Sequence, residues 1–365
     1  MKLLHIADLH IGKRVCEYAM LEDQRHILRE ICDLARSEAV DAVLVAGDVY
    51  DRPVPSEEAT ALLSDFLCEL SARGIRVLMI AGNHDSAERL DFCSPLLSKG
   101  GVHITGSCEG ESELVVLEKD EVRVAVHLLS FTKPAALRRV MPEASENSEQ
   151  MFRALVAKAD LTAAPYNLLL AHAFVTGAAS CDSEQVVVGT VDNVPAEVFA
   201  PFDYVAMGHL HRPQCIGNAC YAGSPLAYSF SEAGDAKSVR IIEIGEGVRS
   251  RTVPLHPLRA MREVRGGMSE LLSMPYSEDY IRAVVTDEDV APDARVTLRT
   301  VFPNLMRFAV ENSHTATDEV VEASEHLERR DPLELFAEFY EQQNGRPADE
   351  SRLAVMRTLL QEVLP

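Results

Sequence analysis

Asp8 and His10 in HIADLHIG, Asp48 in VLVAGDVYD, Asn83 and His84 in VLMIAGNHD, His172 in LLLAHA, and His209 and His211 in YVAMGHLH are all residue types that ligate metal ions, and each stands just after an apolar run. Carboxylate, amide and imidazole donors suit Mn²⁺, Fe²⁺ or Zn²⁺, and this set is larger than one four-coordinate ion can use. Two metals are implied. A lone histidine in an apolar segment is more often a core residue, and an isolated Gly-Asp more often a turn. His5, His103 and His127 fit that plain reading, while His26, His256, His314 and His326 stand in polar or proline-flanked surroundings and carry no assignment. The Asp-x-His, Gly-Asp, Gly-Asn-His-Asp and Gly-His-x-His elements differ, because chance seldom places all of them in that order, each after an apolar run.

The apolar runs are LLHIA, AVLVA, VLMIA, LLLA and YVAM, short and hydrophobic on both faces, so they predict buried strands of a parallel or mixed sheet. Ligands of open α/β sheets gather at the carboxyl ends of strands, which is where every candidate donor falls. Residues 21–39 carry apolar positions at helical spacing, and a second helix is expected from Ser56 as N-cap to Gly74 as C-cap. A third is expected over about 86–98, with strands near 122–130, 167–173, 204–209 and 238–245. Between about 256 and 330 the strand-like YIRAVVTD, the helix-like PDARVTLRTV and the strand-like NLMRFAVEN suggest a small α+β domain. The tail begins with a strong helix start, Asp331-Pro332-Leu333-Glu334, followed by an apolar face of Leu335, Phe336, Phe339 and Tyr340 and then a second short helix.

The ordered motifs resemble the calcineurin-like metallophosphoesterase superfamily over about residues 1–255. Two further segments, CYAGSPLAYSFSEAGDAKSV and LFAEFYEQQNGRP, are similar to the SbcD nucleases within it. The resemblance implies a four-layer α/β/β/α sandwich (1–255), a capping domain (256–330) and a helical tail (331–365) that docks a partner through Phe336, Phe339 and Tyr340. It implies that Asp8, His10 and His211 hold one ion, that Asn83, His172 and His209 hold the other, and that Asp48 bridges them. The ions are expected to be Mn²⁺. Such a pair lowers the pKa of a shared water toward ~7 and clamps phosphate oxygens. His84, next to Asn83, is expected to protonate or stabilise the leaving oxygen, with Asp51, or else Asp85, orienting it.

The expected activity is an ATP-stimulated 3′→5′ exonuclease on duplex DNA and an endonuclease on single strands and hairpins, working with an SbcC-type, SMC-like ATPase. The alternatives are a small-molecule phosphatase or cyclic-nucleotide phosphodiesterase of the same superfamily, and an inactive adaptor on the same fold. A net charge of −22 argues against a chain that grips DNA alone, since Lys and Arg carry most of that affinity. Two ions would offset part of it, and Lys13, Arg14, Arg52, Arg89 and Arg212 lie near the motifs as candidate DNA contacts. Leu90, Phe92, Leu96 and Leu97 are candidates for a homodimer surface. Eight cysteines without a C-x-x-C pair read as buried reduced thiols, Cys32 and Cys68 among them. No apolar run approaches a membrane span and no N-terminal apolar region follows Met1-Lys2, so no membrane contact is expected and the cytoplasm is the expected compartment.

Overall fold

A computed structural model describes residues 1–137, 140–142, 147–184, 193–312, 352, 353 and 356. The docking residues Phe336, Phe339 and Tyr340 lie outside the described residues, as does nearly all of the predicted tail. The described residues of Met1–Val285 and Val290–Ala309 make one compact unit, and those of Thr286–Asp289 and Val310–Pro365 fall outside it.

Two six-stranded sheets carry the first unit. In one, the order across the sheet is Gly247–Pro254, Ser238–Gly245, Lys2–Ile6, Ala42–Ala46, Arg76–Ile80, Val102–Thr105, and the last four strands run parallel. In the other it is Gln214–Ile216, Ala219–Tyr221, Tyr204–Gly208, Tyr166–His172, Val122–Leu129, Glu113–Lys119, with the central four parallel. Their inner faces meet through Leu3, Leu44, Leu78 and Ile242 from the first and Val126, Leu168, Leu170 and Ala206 from the second. Strands buried on both faces explain why the runs are apolar throughout instead of alternating. On the outer face of the first sheet lie the helices Leu21–Ser37 and Glu57–Ala72, and on that of the second the helix Ser148–Ala157. The result is the α/β/β/α sandwich that the resemblance implies.

His5 joins the two sheets. Its buried ring accepts from the Tyr204 hydroxyl at Nδ1 (3.1 Å) and donates from Nε2 to the Met207 carbonyl (3.1 Å).

Several local expectations hold and several do not. Ser56 caps its helix by accepting from the Ala59 N–H, and Gly74 follows the end of that helix at φ 71°, where a Cβ would be strained. The expected helix over 86–98 is instead two four-residue turns, Ala87–Leu90 and Ser94–Leu97, because Cys93 takes a left-handed conformation between them. Leu90 is buried, whereas Phe92 and Leu96 are 77% and 66% exposed. Cys68 is exposed and not on the buried side, and Cys215 and Cys220 form a disulfide, so the reading of all cysteines as buried thiols is corrected. The two face each other across an antiparallel hairpin, a register that spacing alone does not disclose.

A three-stranded sheet of Met261–Gly266, Tyr280–Val285 and Leu305–Val310 forms a further layer with the helices Met268–Ser273 and Ala294–Leu298. Its core is built on Leu271, Ile281, Ala283, Leu298 and Phe302. It reaches the sandwich through Asp23 on the first long helix, which accepts from the Tyr280 hydroxyl (2.7 Å) and from Arg259 (2.9 Å).

Candidate metal centre

The candidate donors sit in loops or last residues at the carboxyl ends of five parallel strands, two of them facing across the sandwich from the other three. Asp8, His10, Asp48 and His209 all have positive φ, between 43° and 99°. Non-glycine residues adopt that region at a cost and concentrate at functional sites, where the surroundings hold them. The glycines of the motifs serve packing. A Cβ at Gly82 would overlap the Asp48 carboxylate, and one at Gly208 would strike the Ala46 carbonyl and the His172 ring.

The geometry brings seven predicted donors together. His10 Nε2 and His211 Nε2 are 3.2 Å apart. Asn83 Oδ1 lies 2.9 Å from His172 Nε2 and 3.1 Å from His209 Nδ1. Between the two groups lies Asp48 Oδ2, 3.7 Å from His10 Nε2 and 3.4 Å from His172 Nε2. Asp8, His10 and His211 offer ligand atoms within 4.8 Å of one another, as do Asp8, Asp48 and His172.

Tautomers are set from outside. His172 Nδ1 donates to the Ala46 carbonyl (2.8 Å), which turns its Nε2 toward the cluster, and His211 Nδ1 donates to the Ser183 hydroxyl oxygen (2.7 Å). In its neutral form each of these rings therefore points an Nε2 lone pair into the cluster, the form in which imidazole ligates a cation. Asp8 Oδ2, fully buried, has no hydrogen-bond partner among the described residues, although Asp8 Oδ1 accepts from the His209 N–H. Burial pushes the Asp8 carboxyl up to about 7. Burial alone would depress His172, but the carboxylates of Asp48 and Asp8 push it up to about 9. An orphaned buried carboxylate oxygen, negative field and converging imidazoles make a donor set that fits two divalent ions.

His84 borders this cluster, its ring edge-on to His10 at 4.8 Å and a ring nitrogen within 4.8 Å of the His10 and Asp48 ligand atoms. Its backbone N–H donates to Asp48 Oδ1 (2.9 Å), and its ring Nδ1 donates to the backbone carbonyl of Asp51 (3.0 Å). The Asp51 carboxylate is turned to Lys13 Nζ (2.7 Å) and lies 3.7 Å from His10 Nδ1. The Asp85 carboxylate accepts from the N–H groups of Gly82, Val49 and Tyr50, pinning two donor loops together. Contact between Asp51 and His84 thus runs through the main chain.

Among the basic candidates, Arg212 is tied to Asp235 (2.9 Å) and to the Ser231 carbonyl, and Lys13 is held by Asp51 against the Tyr228 ring. Arg52 and Arg89 are exposed.

A supporting shell escaped the sequence reading. The Gln24 amide donates to the His10 carbonyl (2.7 Å) and accepts from the Gly12 N–H (2.9 Å), and Tyr228 stacks edge-on to both His10 and His211. Behind His211, Ser183 donates to Glu232 (2.6 Å), and Glu232 is paired with buried Lys237. The only sequence signal was that Tyr228, Glu232 and Lys237 fall in CYAGSPLAYSFSEAGDAKSV, where no single position was marked.

Residues 1–213 match the calcineurin-like phosphoesterase family model, and residues 257–344 match the model described as type 5 capsule protein repressor C-terminal domain. The chain belongs to the calcineurin-like phosphoesterase family. Within it, the likeness runs to the SbcD component of the SbcCD nuclease of Staphylococcus epidermidis, 28% identical over 380 residues that cover 100% of this chain and 99% of that protein. Among solved structures, a dimetal phosphatase from Danio rerio is 15% identical, with 70% of this chain and 99% of that one covered and a TM-score of 0.39. Haemophilus influenzae NAD nucleotidase is 11% identical, covering 85% and 64% with a TM-score of 0.35.

Proposed function

We propose that this chain is the nuclease component of an SbcCD-type complex, a two-metal DNA phosphodiesterase that works with an SbcC-type ATPase. The observation that carries the chemistry is the Asp48 carboxylate lying between two imidazole groups, with buried Asp8 Oδ2 left without a partner. The full-length likeness to a nuclease component carries the choice of DNA over a small phosphate ester. In this reading Asp8, His10 and His211 hold one ion, Asn83, His172 and His209 the other, and Asp48 bridges. Mn²⁺ is the preferred ion, since mixed oxygen and imidazole donors suit it.

Two such ions, when bound, lower the pKa of water and neutralise phosphate charge. The chain's own residues do the rest. Asp48 Oδ1 fixes the His84 backbone, and the Asp51 carbonyl takes the His84 Nδ1 proton in a hydrogen bond, so Nε2 is the ring position that meets substrate. His84 lines an open cavity of ≈ 440 Å³ together with Lys13, Asp51, Arg52 and Asn83, and as the imidazolium it gives its Nε2 proton to the leaving oxygen while Nδ1–H stays on the Asp51 carbonyl. Exposed Arg89 and Arg52, the latter only loosely paired with Asp51 (3.8 Å), meet the phosphate backbone, whereas Arg212 is a structural residue.

We propose the division read from the sequence: a nuclease domain over 1–255, a cap over 256–330 and a docking tail over 331–365. Phe336, Phe339 and Tyr340 engage the ATPase, which supplies the basic surface that a chain of net charge −22 lacks. Exposed Phe92 and Leu96 pack against a second copy, with Leu97 at 36% exposure beside them. No helix of the described residues is long and apolar enough to cross a membrane, and the complex is assigned to the cytoplasm with its DNA.

The test is cleavage of end-labelled duplex and hairpin DNA by the purified chain with Mn²⁺, with and without the ATPase and ATP. Metal-dependent cleavage of both, stimulated by the ATPase, is expected. Turnover of small phosphomonoesters without any action on DNA would favour the phosphatase alternative.

A further inference from the structure

We propose that an aromatic cavity beside the metal centre is a nucleobase subsite, which takes the base of the nucleotide whose phosphate lies at Asn83, His172 and His209. The inference rests on the phosphodiesterase reading above and adds what the enzyme holds besides phosphate.

The cavity measures ≈ 360 Å³ and shares Asn83, His172 and His209 with the candidate metal centre. Its walls present the rings of Phe131, Phe152 and Phe174, with Thr132 and Asn193 as polar groups and Lys133 as a cation. Phe152 is a fixed wall, buried and edge-on to Phe199 at 5.6 Å. Phe131 is anchored by its N–H to the Ala81 carbonyl (2.9 Å), just before the Gly-Asn-His-Asp loop, and its ring lies edge-on to His172 at 6.1 Å. Phe131 and Phe174 are only partly buried, so each keeps ring surface to offer a ligand.

The open cavity that holds His84 is different in kind, since it is lined by Lys13, Asp51, Arg52, Pro53 and Asn83 and carries charge instead of apolar rings. Asn83 belongs to both. The centre therefore has one charged mouth and one aromatic mouth that meet at a proposed metal ligand. A nucleotide has the same division: an anionic phosphate next to a flat π-face with hydrogen-bonding edges. Aromatic side chains stack on any base, so such a subsite is sequence-tolerant. Thr132 and Asn193 can pair with a base edge, and Lys133 can neutralise a neighbouring phosphate. A paired base must leave the helix to enter, so unpaired ends and hairpin loops should be favoured.

The experiment compares ligands that differ only in the base. Titration calorimetry with the Mn²⁺-loaded full chain measures thymidine 5′-monophosphate, thymidine 3′-monophosphate and deoxyribose 5-phosphate, and hydrolysis of methyl p-nitrophenyl phosphate is followed in parallel. At least one thymidylate should bind about tenfold tighter than the base-free sugar phosphate. Phe174→Leu, which keeps apolar volume but removes the ring, should erase most of that ratio while hydrolysis of the base-free ester stays as it was. Phe174→Tyr should retain it. Equal affinity for both thymidylates and the base-free phosphate in the unmodified protein, or an unchanged ratio in Phe174→Leu, overturns the subsite but leaves the phosphodiesterase reading intact. Failure to hydrolyse the base-free ester or DNA defeats that reading, and the subsite with it.

Discussion

Replacing Lys237 by methionine should reach the metal centre from behind. Lys237 is 6% exposed and its ammonium donates to Glu232 Oε2 (2.5 Å), the His211 carbonyl (2.9 Å) and the Ser224 hydroxyl (3.0 Å). Burial works against a charge on Glu232, but the nearby His211 imidazole (3.7 Å) and the Lys237 ammonium hold its carboxyl well below the usual range. Methionine matches the stem of lysine and removes the charge, so the fully buried Glu232 carboxylate loses its counter-ion. Breaking one side of a buried pair costs about 3–5 kcal/mol. Neutralising both sides, Lys237→Met with Glu232→Gln, should be milder than Lys237→Met alone, because no unpaired charge remains. His211 also loses the donor on its carbonyl, and Glu232, whose Oε1 backs the Ser183–His211 contact, loses its anchor at Oε2; weakened support of this kind typically lowers the affinity of a metal site about 10–100-fold. Urea denaturation of the metal-free chain followed by circular dichroism measures the first effect, and Mn²⁺ titration measures the second. A loss below about 1 kcal/mol with unchanged Mn²⁺ affinity would refute the reasoning.

His84→Ala should retain both metals and lose about 10²–10⁴-fold in DNA cleavage, with a smaller loss on a nitrophenyl ester whose leaving group needs no proton; equal losses on both would argue against the acid role. His5 supplies a pH prediction: burial, then the Arg240 charge, lowers it from 6.5 to about 3, so the unfolded chain binds its proton first. The stability that a neutral His5 contributes is present above pH 6.5 and lost as pH falls toward 3, by up to a few kcal/mol at about 1.4 kcal/mol per pH unit. His5→Gln should make the acid limb of a stability–pH curve shallower, and an unchanged limb would count against this origin. Leu96→Asp should shift the chain toward monomer in light scattering with its circular dichroism unchanged; an unaltered mass would remove this surface from the proposed dimer.

Much of the centre was legible because its donors follow strands, and short apolar runs announce strands. The glycines of the motifs carried the same information, since Gly82 and Gly208 are required by close packing across the centre. What could not be read depends on contacts between distant segments. Gln24 stands on a helix whose periodicity marks it only as an interior position, yet it fixes the His10 loop. The Cys215–Cys220 bond depends on the register of a hairpin, and Cys93 ends a helix through a left-handed conformation that its residue type does not advertise. Asp51 was expected beside His84 for its carboxylate, and it is there for its carbonyl.

Metal content and DNA cleavage measured together on the intact chain and on Asp48→Asn address the bimetal claim most directly. Asp48 is 2% exposed and lies between His10 and His172, where a neutral amide cannot bridge two cations as a carboxylate does. The intact chain should carry two Mn²⁺ per molecule and cut DNA, and Asp48→Asn should lose metal and cleavage together. An Asp48→Asn chain that keeps two ions and cuts at the normal rate would contradict the account.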